Sequence, residues 1–203
     1  MKNHVRITSL VICAFLLAGC NTVHYRVNEQ AVSVTDLESY KEKDASIPVR
    51  IQVVNFVINS VDANYSNEDK EAFRQHNAVA IPNALFRSLG SRKVFSEVGR
   101  TVAPSPGLAD YIVSGTYDYS KKTSRGFTTH TITIKGTIHL RLVRAKDNVP
   151  ILEKDFVEER SDETKVKQAA QVHYLQAAYI QSITAEIKNC VAQDAQRSQA
   201  KAQ

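Results

Sequence analysis

Residues 127–143, FTTHTITIKGTIHLRLV, alternate apolar and polar side chains along most of their length. Ile132, Ile134, Ile138, Leu140 and Leu142 share one parity. Thr129, Thr131, Thr133, Lys135, Thr137, His139 and Arg141 share the other. Successive side chains on a strand point to opposite faces, so a period of two predicts a half-buried strand with one wet face. A helix would need apolar residues every three to four positions. A strand this long needs neighbours, so the chain must build a sheet with one packed and one solvated face. Gly136 interrupts the pattern and predicts a bulge or bend.

The flanks supply the rest of the sheet. Asp110 to Tyr119, DYIVSGTYDY, reads as a strand, followed by a basic turn SKKTSRG over Ser120 to Gly126. After AKDN, Ile151 to Glu159 returns as a last strand. Upstream, Ile47 to Ile58 is a run rich in β-branched residues, with Pro48 at its start where a missing N–H is tolerated. Lys93 to Val98 is a short strand, and TVAPSPGLAD after it is a loop with two prolines and a glycine.

Two helices complete the pattern. Ser66 with Asp69 three residues on resembles a capping box, and a helical period runs from Glu68 to Leu89 through Ala72, Phe73, Val79 and Phe86. Pro82 predicts a kink or a second start, and Gly90 a stop. Ser161 or Asp162 is placed to cap the second helix, with Glu163 in its first turn. Val172, Leu175, Tyr179, Ile183, Ile187 and Cys190 recur on one face of it. The expectation is an α+β fold: a mostly antiparallel four- to five-stranded sheet covered on one face by two helices.

The N-terminus carries an address. MKNHVR is basic, Ile7 to Leu17 is apolar apart from Thr8 and Ser9, and Ala18 and Gly19 are small. That is the layout of a secretory signal. The apolar run falls short of the ~20 residues that span a bilayer. LLAGC at residues 16–20 resembles the lipobox of bacterial lipoproteins. The resemblance implies cleavage between Gly19 and Cys20, a diacylglycerol on the Cys20 thiol and an acyl chain on its new amino group, with no other cofactor. More than one acyl chain gives stable anchoring where one does not. Asn21, in place of the Asp that retains such proteins in the inner membrane, points to the outer membrane. The expected organisation is a signal at 1–19, a lipidated tether at 20–46, one domain at 47–195 and a disordered tail at 196–203.

Composition narrows the function. The net charge is +5, of which Lys2 and Arg6 leave with the signal, and the basic residues are spread along the chain. No nucleic-acid partner is expected. With Cys13 in the signal and Cys20 lipidated, Cys190 is the one remaining thiol, and its helical spacing predicts burial. No G-x-S-x-G, H-E-x-x-H, P-loop or C-x-x-C occurs. His24, His76, His130, His139 and His173 are not paired at metal spacing. Glu158, Glu159, Asp162 and Glu163 read as a helix cap and solvated turn. The chain is expected to be non-enzymatic and metal-free. Candidate contacts with a partner or lipid headgroups are Lys121, Lys122 and Arg125 in the basic turn, and Tyr117 and Tyr119, which share one strand face with Tyr111.

The stretches VAIPNALFRSLGSRKVFSEVGR, ADYIVSGTYDYSKK and GTIHLRLVRAKDNVPILEKDFVEE, followed by a long helix, are similar to the α/β domain of envelope lipoproteins. The resemblance is to the curli-type secretion channel, the polysaccharide-export lipoproteins, the ABC-transport auxiliary lipoproteins and the N-terminal domain of the Tol-system propeller protein. The extra membrane-crossing hairpins of the curli-type channel have no counterpart here. The resemblance implies an outer-membrane-anchored, periplasm-facing accessory subunit of a secretion, transport or assembly complex, partnered by other envelope proteins or by its own copies. The alternative is a monomeric lipoprotein holding a small apolar or glycan ligand between sheet and helices.

Overall fold

A computed structural model describes residues 39–63, 65–125, 130–162 and 168–200. The elements are β1 (Ser39–Lys41), β2 (Ile47–Val53), β3 (Val57–Ser60), α1 (Asn67–Ser91), β4 (Phe95–Arg100), β5 (Tyr111–Arg125), β6 (His130–Arg144), β7 (Val149–Asp162) and α2 (Gln168–Ala200). The strands form one seven-stranded sheet in the order β1-β4-β2-β5-β6-β7, with β3 also on β5. The sheet is mixed. β2 runs parallel to both β4 and β5, and β3 parallel to β5, whereas β1–β4, β5–β6 and β6–β7 are antiparallel. The expected α+β fold with two helices stands, but the sheet has seven strands rather than four to five and is mixed rather than mostly antiparallel. The 25-residue helix between β2 and β4 makes a crossover, which brings the two strands back in parallel.

Both helices cover one face. Ile134, Ile138, Leu140 and Leu142 of β6 pack with Phe73, Ile81, Leu85 and Leu89 of α1 and with Ile183, Ile187 and Val191 of α2. The helices meet where the Thr184 hydroxyl donates to Ser88 Oγ at 3.0 Å. The loop from β4 to β5 crosses β2 on the other face. There Ser105 N donates to Gln52 Oε1 at 2.7 Å, and Ala109 packs with Val54, Ile112 and Val143 in a small second cluster.

The strand expected over 47–58 is broken at residues 54–56, and two irregularities meet there. Pro82 sits inside a continuous α1 and has no N–H to offer the carbonyl of Ala78, four residues before it. That carbonyl instead accepts from Phe56 N at 3.1 Å. A backbone acceptor freed in the helix thus satisfies a donor freed by the broken strand. Arg100 fills the same corner, 1% exposed. Its Nε donates to Asn83 Oδ1 at 2.8 Å and its Nη1 to the Val53 carbonyl at 3.2 Å, with further bonds to the Thr101 carbonyl and Asn55 Oδ1. Burial pushes its pKa down to about 10. It still carries its charge at neutral pH, held by amide and carbonyl dipoles rather than by a carboxylate.

Several local expectations change. Gly90 does not stop α1, which runs to Ser91. A Cβ at Gly90 would collide with the ring of Tyr40, so the glycine serves a close approach instead. Gly136 sits in unbroken register opposite Tyr119, while the irregularity in β6–β7 falls between Leu142 and Val143. Residues 120–125, expected as a turn, continue β5, and Ser161 and Asp162 lie at the end of β7, while Glu163, expected in the first turn of α2, lies outside the described residues. Ladder pairing to the facing strand outweighs local turn preferences in β5. Ser39–Lys41, placed in the tether, add an edge strand to β4, and α2 extends to Ala200 through residues placed in the tail.

Candidate functional site

The face of β5–β7 turned away from the helices carries the paired polar chemistry. Alternation puts Ser114, Thr116 and Asp118 of β5, Thr137, His139 and Arg141 of β6, and Glu153, Asp155 and Val157 of β7 on it. His139 stands between two carboxylates. Its Nδ1 lies 2.6 Å from Asp155 Oδ1 and its Nε2 lies 3.0 Å from Asp118 Oδ2. An ionised carboxylate only accepts, so both ring nitrogens must be protonated for both bonds to form. The geometry is that of an imidazolium. The hydrogen bond to Asp155, opposed by partial burial and reinforced by Asp118, raises the His139 pKa above its ordinary value. The Ser60 hydroxyl donates to Asp118 Oδ1 at 2.6 Å and ties β3 into the chain of bonds.

Beside this bridge, Arg141 Nε donates to Glu153 Oε1 at 2.9 Å. A cleft of about 850 Å³ lies here, lined by Asn55, Val57, Thr116, His139, Arg141 and Asp155 among others. The broken strand shapes its wall. Gly115 faces inward at this level, where a Cβ would come within 2.9 Å of both the His139 carbonyl oxygen and the Phe56 ring. Val57 on its rim is 61% exposed.

A second polar group sits at the start of β5, beside a cavity of about 450 Å³. Asp194 of α2 accepts from Arg144 Nη2 at 2.6 Å, from Arg144 Nε at 3.0 Å and from the Tyr111 hydroxyl at 2.9 Å. The Arg144 bonds hold the Asp194 carboxyl below the usual range, against its burial. Burial, with Asp194 beside it, pushes Tyr111 up to about 12, so this phenol stays protonated. Arg50 and Asp110 pair at 3.1 Å nearby. These bonds fasten α2 and β2 to the end of the sheet. They form a brace whose charges are already matched.

The structure separates the residues singled out in the sequence. Tyr117 and Tyr119 are 0% and 1% exposed, stacked with Phe73 and Tyr65 under α1, and so cannot contact a partner. Lys121 and Lys122 lie on β5 and Arg125 ends it. Gly19, Cys20 and the part of the expected tether up to residue 38 lie outside the described residues. Cys190 is half-buried against the core, and burial pushes its thiol pKa up. Among the described residues no group of His, Cys, Asp and Glu is arranged to hold a metal ion, and no helix is long and apolar enough to cross a membrane. The His139 bridge escaped sequence reading because its partners lie 21 and 16 residues away. The one available signal was the placement of His139 on the wet parity of its strand.

No protein-family model matches the chain, and no curated protein sequence matches it. The fold is found in a solved Helicobacter pylori protein. That protein, described as a homologue of a neuraminyllactose-binding hemagglutinin, is 12% identical with a TM-score of 0.51 over 88% of this chain and 97% of its own. Two bacterial lipoproteins align more loosely. The Acinetobacter baumannii minor lipoprotein is 12% identical with a TM-score of 0.39, covering 71% of this chain and 93% of its own. A Neisseria meningitidis lipoprotein is 15% identical with a TM-score of 0.30, covering 70% and 99%.

Proposed function

We propose that this chain is a lipid-anchored envelope lipoprotein, held at the outer membrane through acylated Cys20, that acts by binding rather than by catalysis. In this reading it is an accessory subunit of a secretion, transport or assembly complex. The observation that carries it is the contrast between the two sides of the sheet. One side is closed by α1 and α2 over a filled core, while the other presents a bonded array of charged and hydroxyl side chains around an open cleft. Polar groups arranged on a rigid sheet are suited to recognition. A binding role also fits the description of the Helicobacter pylori protein that shares the fold. The ligand site of the alternative reading moves accordingly, from between sheet and helices, where Phe73, Tyr117 and Tyr119 pack, to the open face.

The test joins the two halves of the reading. Intact mass of the protein from a bacterial membrane fraction should show the acyl additions, and Cys20→Ala should abolish them and release the chain. A photocrosslinker at Val157 on the open face should capture a binding component of the envelope. The same group at Gln75, exposed on α1, should not. An unmodified Cys20, or equal capture from both positions, defeats the proposal.

A further inference from the structure

The open-face cleft identifies the chemistry of what it binds. Each full charge in it is already met by another. Arg141 holds Glu153, and His139 holds Asp155 and, just outside the cleft, Asp118. Lys154 at its edge is engaged by Glu186 at 3.0 Å. A charged ligand would find no unpaired charge there to meet, only ion pairs that are part-exposed and screened by water.

Each pair nevertheless uses only part of its capacity. Arg141 donates through Nε alone, which leaves the four N–H bonds of its two terminal nitrogens. Glu153 and Asp155 each accept through one oxygen and keep the other. Asn55 gives its oxygen to Arg100 and keeps its NH2. Thr116 has its hydroxyl unengaged among the described residues. Donors and acceptors therefore stand side by side, with Glu153 and Asp155 two residues apart on one strand face, ~7 Å.

A hydroxyl group both donates and accepts, so adjacent hydroxyls can bridge a guanidinium N–H and a carboxylate oxygen without separating the ion pair. Val57, exposed at the rim, offers an apolar surface to the C–H side of a ring. We propose that the cleft binds a neutral saccharide, recognised by its adjacent hydroxyls through Arg141, Glu153, Asp155, Asn55 and Thr116. The inference rests on the reading of the chain as a non-catalytic binding protein and specifies its ligand.

The test is amide NMR of the full chain in a zwitterionic detergent without a sugar headgroup, titrated with lactose, maltotriose and chitobiose. At least one probe should give saturable millimolar shifts confined to residues 55–57, 114–116, 139–141 and 153–155. Arg141→Lys keeps the charge and loses the fork, and should weaken binding about tenfold, the value of one charge-assisted hydrogen bond. Thr116→Val should weaken it severalfold, with the amide dispersion of both variants intact. Sodium sulfate should not compete. No saturable shift with any of the three probes, shifts mapping elsewhere, competition by sulfate, or binding unchanged in both variants would overturn the proposal. Saccharide binding with an unmodified Cys20 would sink the anchored-lipoprotein reading alone. Cleavage of the probe would sink the non-catalytic one.

Discussion

On β5 and β6 the side chains facing the helices and those facing away are held in different ways. Toward the helices, Tyr117, Tyr119, Ile134 and Ile138 are closed from solvent and contribute by apolar burial and ring contacts. Away from them, Asp118, His139 and Arg141 stay partly exposed and are held by directed bonds to neighbouring strands. The first side gives stability, and the second gives a surface with a defined pattern of donors and acceptors. Side-chain exposures of 31% to 62% in the Asp118–His139–Asp155 bridge mean that solvent screens most of its electrostatic worth. Its arrangement is better explained by what it presents than by what it stabilises.

The contrast can be broken from the covered side first. Phe73→Ala removes the ring that joins Tyr65, Tyr117 and Tyr119, and should destabilise the fold by about 4 kcal/mol. Denaturant unfolding reads this directly, and a loss under about 1 kcal/mol would show that the aromatic cluster is not the keystone of the core. Arg100→Met comes next. It keeps the volume but strips donors from Asn55, Asn83 and the Val53 and Thr101 carbonyls, and should cost about 3 kcal/mol. An unchanged unfolding midpoint would mean that water replaces the guanidinium at the strand break.

Gly115→Ala tests the join between the two sides. The added methyl meets backbone on β6 and the Phe56 ring, and should cost about 2 kcal/mol while moving the cleft wall. Amide shifts that reach both Asn55 and His139 are the expected signature, and shifts limited to residues 114–116 would contradict it.

The open side responds to pH instead. The folded-state pKa of His139 is raised, so its contribution is complete below ~6.5 and is lost as pH climbs through the higher folded value. Ring-proton NMR should titrate above ~6.5, and His139→Gln should flatten the dependence with under ~1 kcal/mol lost, as expected for exposed pairs. A midpoint at or below the ordinary histidine value would refute the imidazolium geometry. Smallest of all, Val157→Thr at an exposed position of β7 should change stability by less than ~0.5 kcal/mol.

How far the fold could be read in advance depended on the range of the interactions. The long alternation at β6 declared which parity would be buried, because period two is written in consecutive residues. The α1 start was equally local: Ser66 Oγ accepts from Asp69 N at 3.0 Å. Tyr117 and Tyr119 were visible as a stripe, but whether a strand face is core or surface depends on which side the helices take. Gly90 had the look of a helix stop and proved to be a seat for Tyr40, fifty residues earlier in the chain.

The sequence by itself determined both helices and most of the strands, the buried parity of β6, the placement of His139 on the wet face and the lipobox-like start. Periodicity, caps and turn residues are short-range properties, and a chain displays them before it folds. Only the tertiary structure decided the parallel pairing of β2 with β4 and β5, the meeting of Pro82 with the broken strand, the burial of Arg100 and the His139 bridge. Each of these joins atoms far apart in the chain. Crossover and packing choose such partners, and local residue order does not display them.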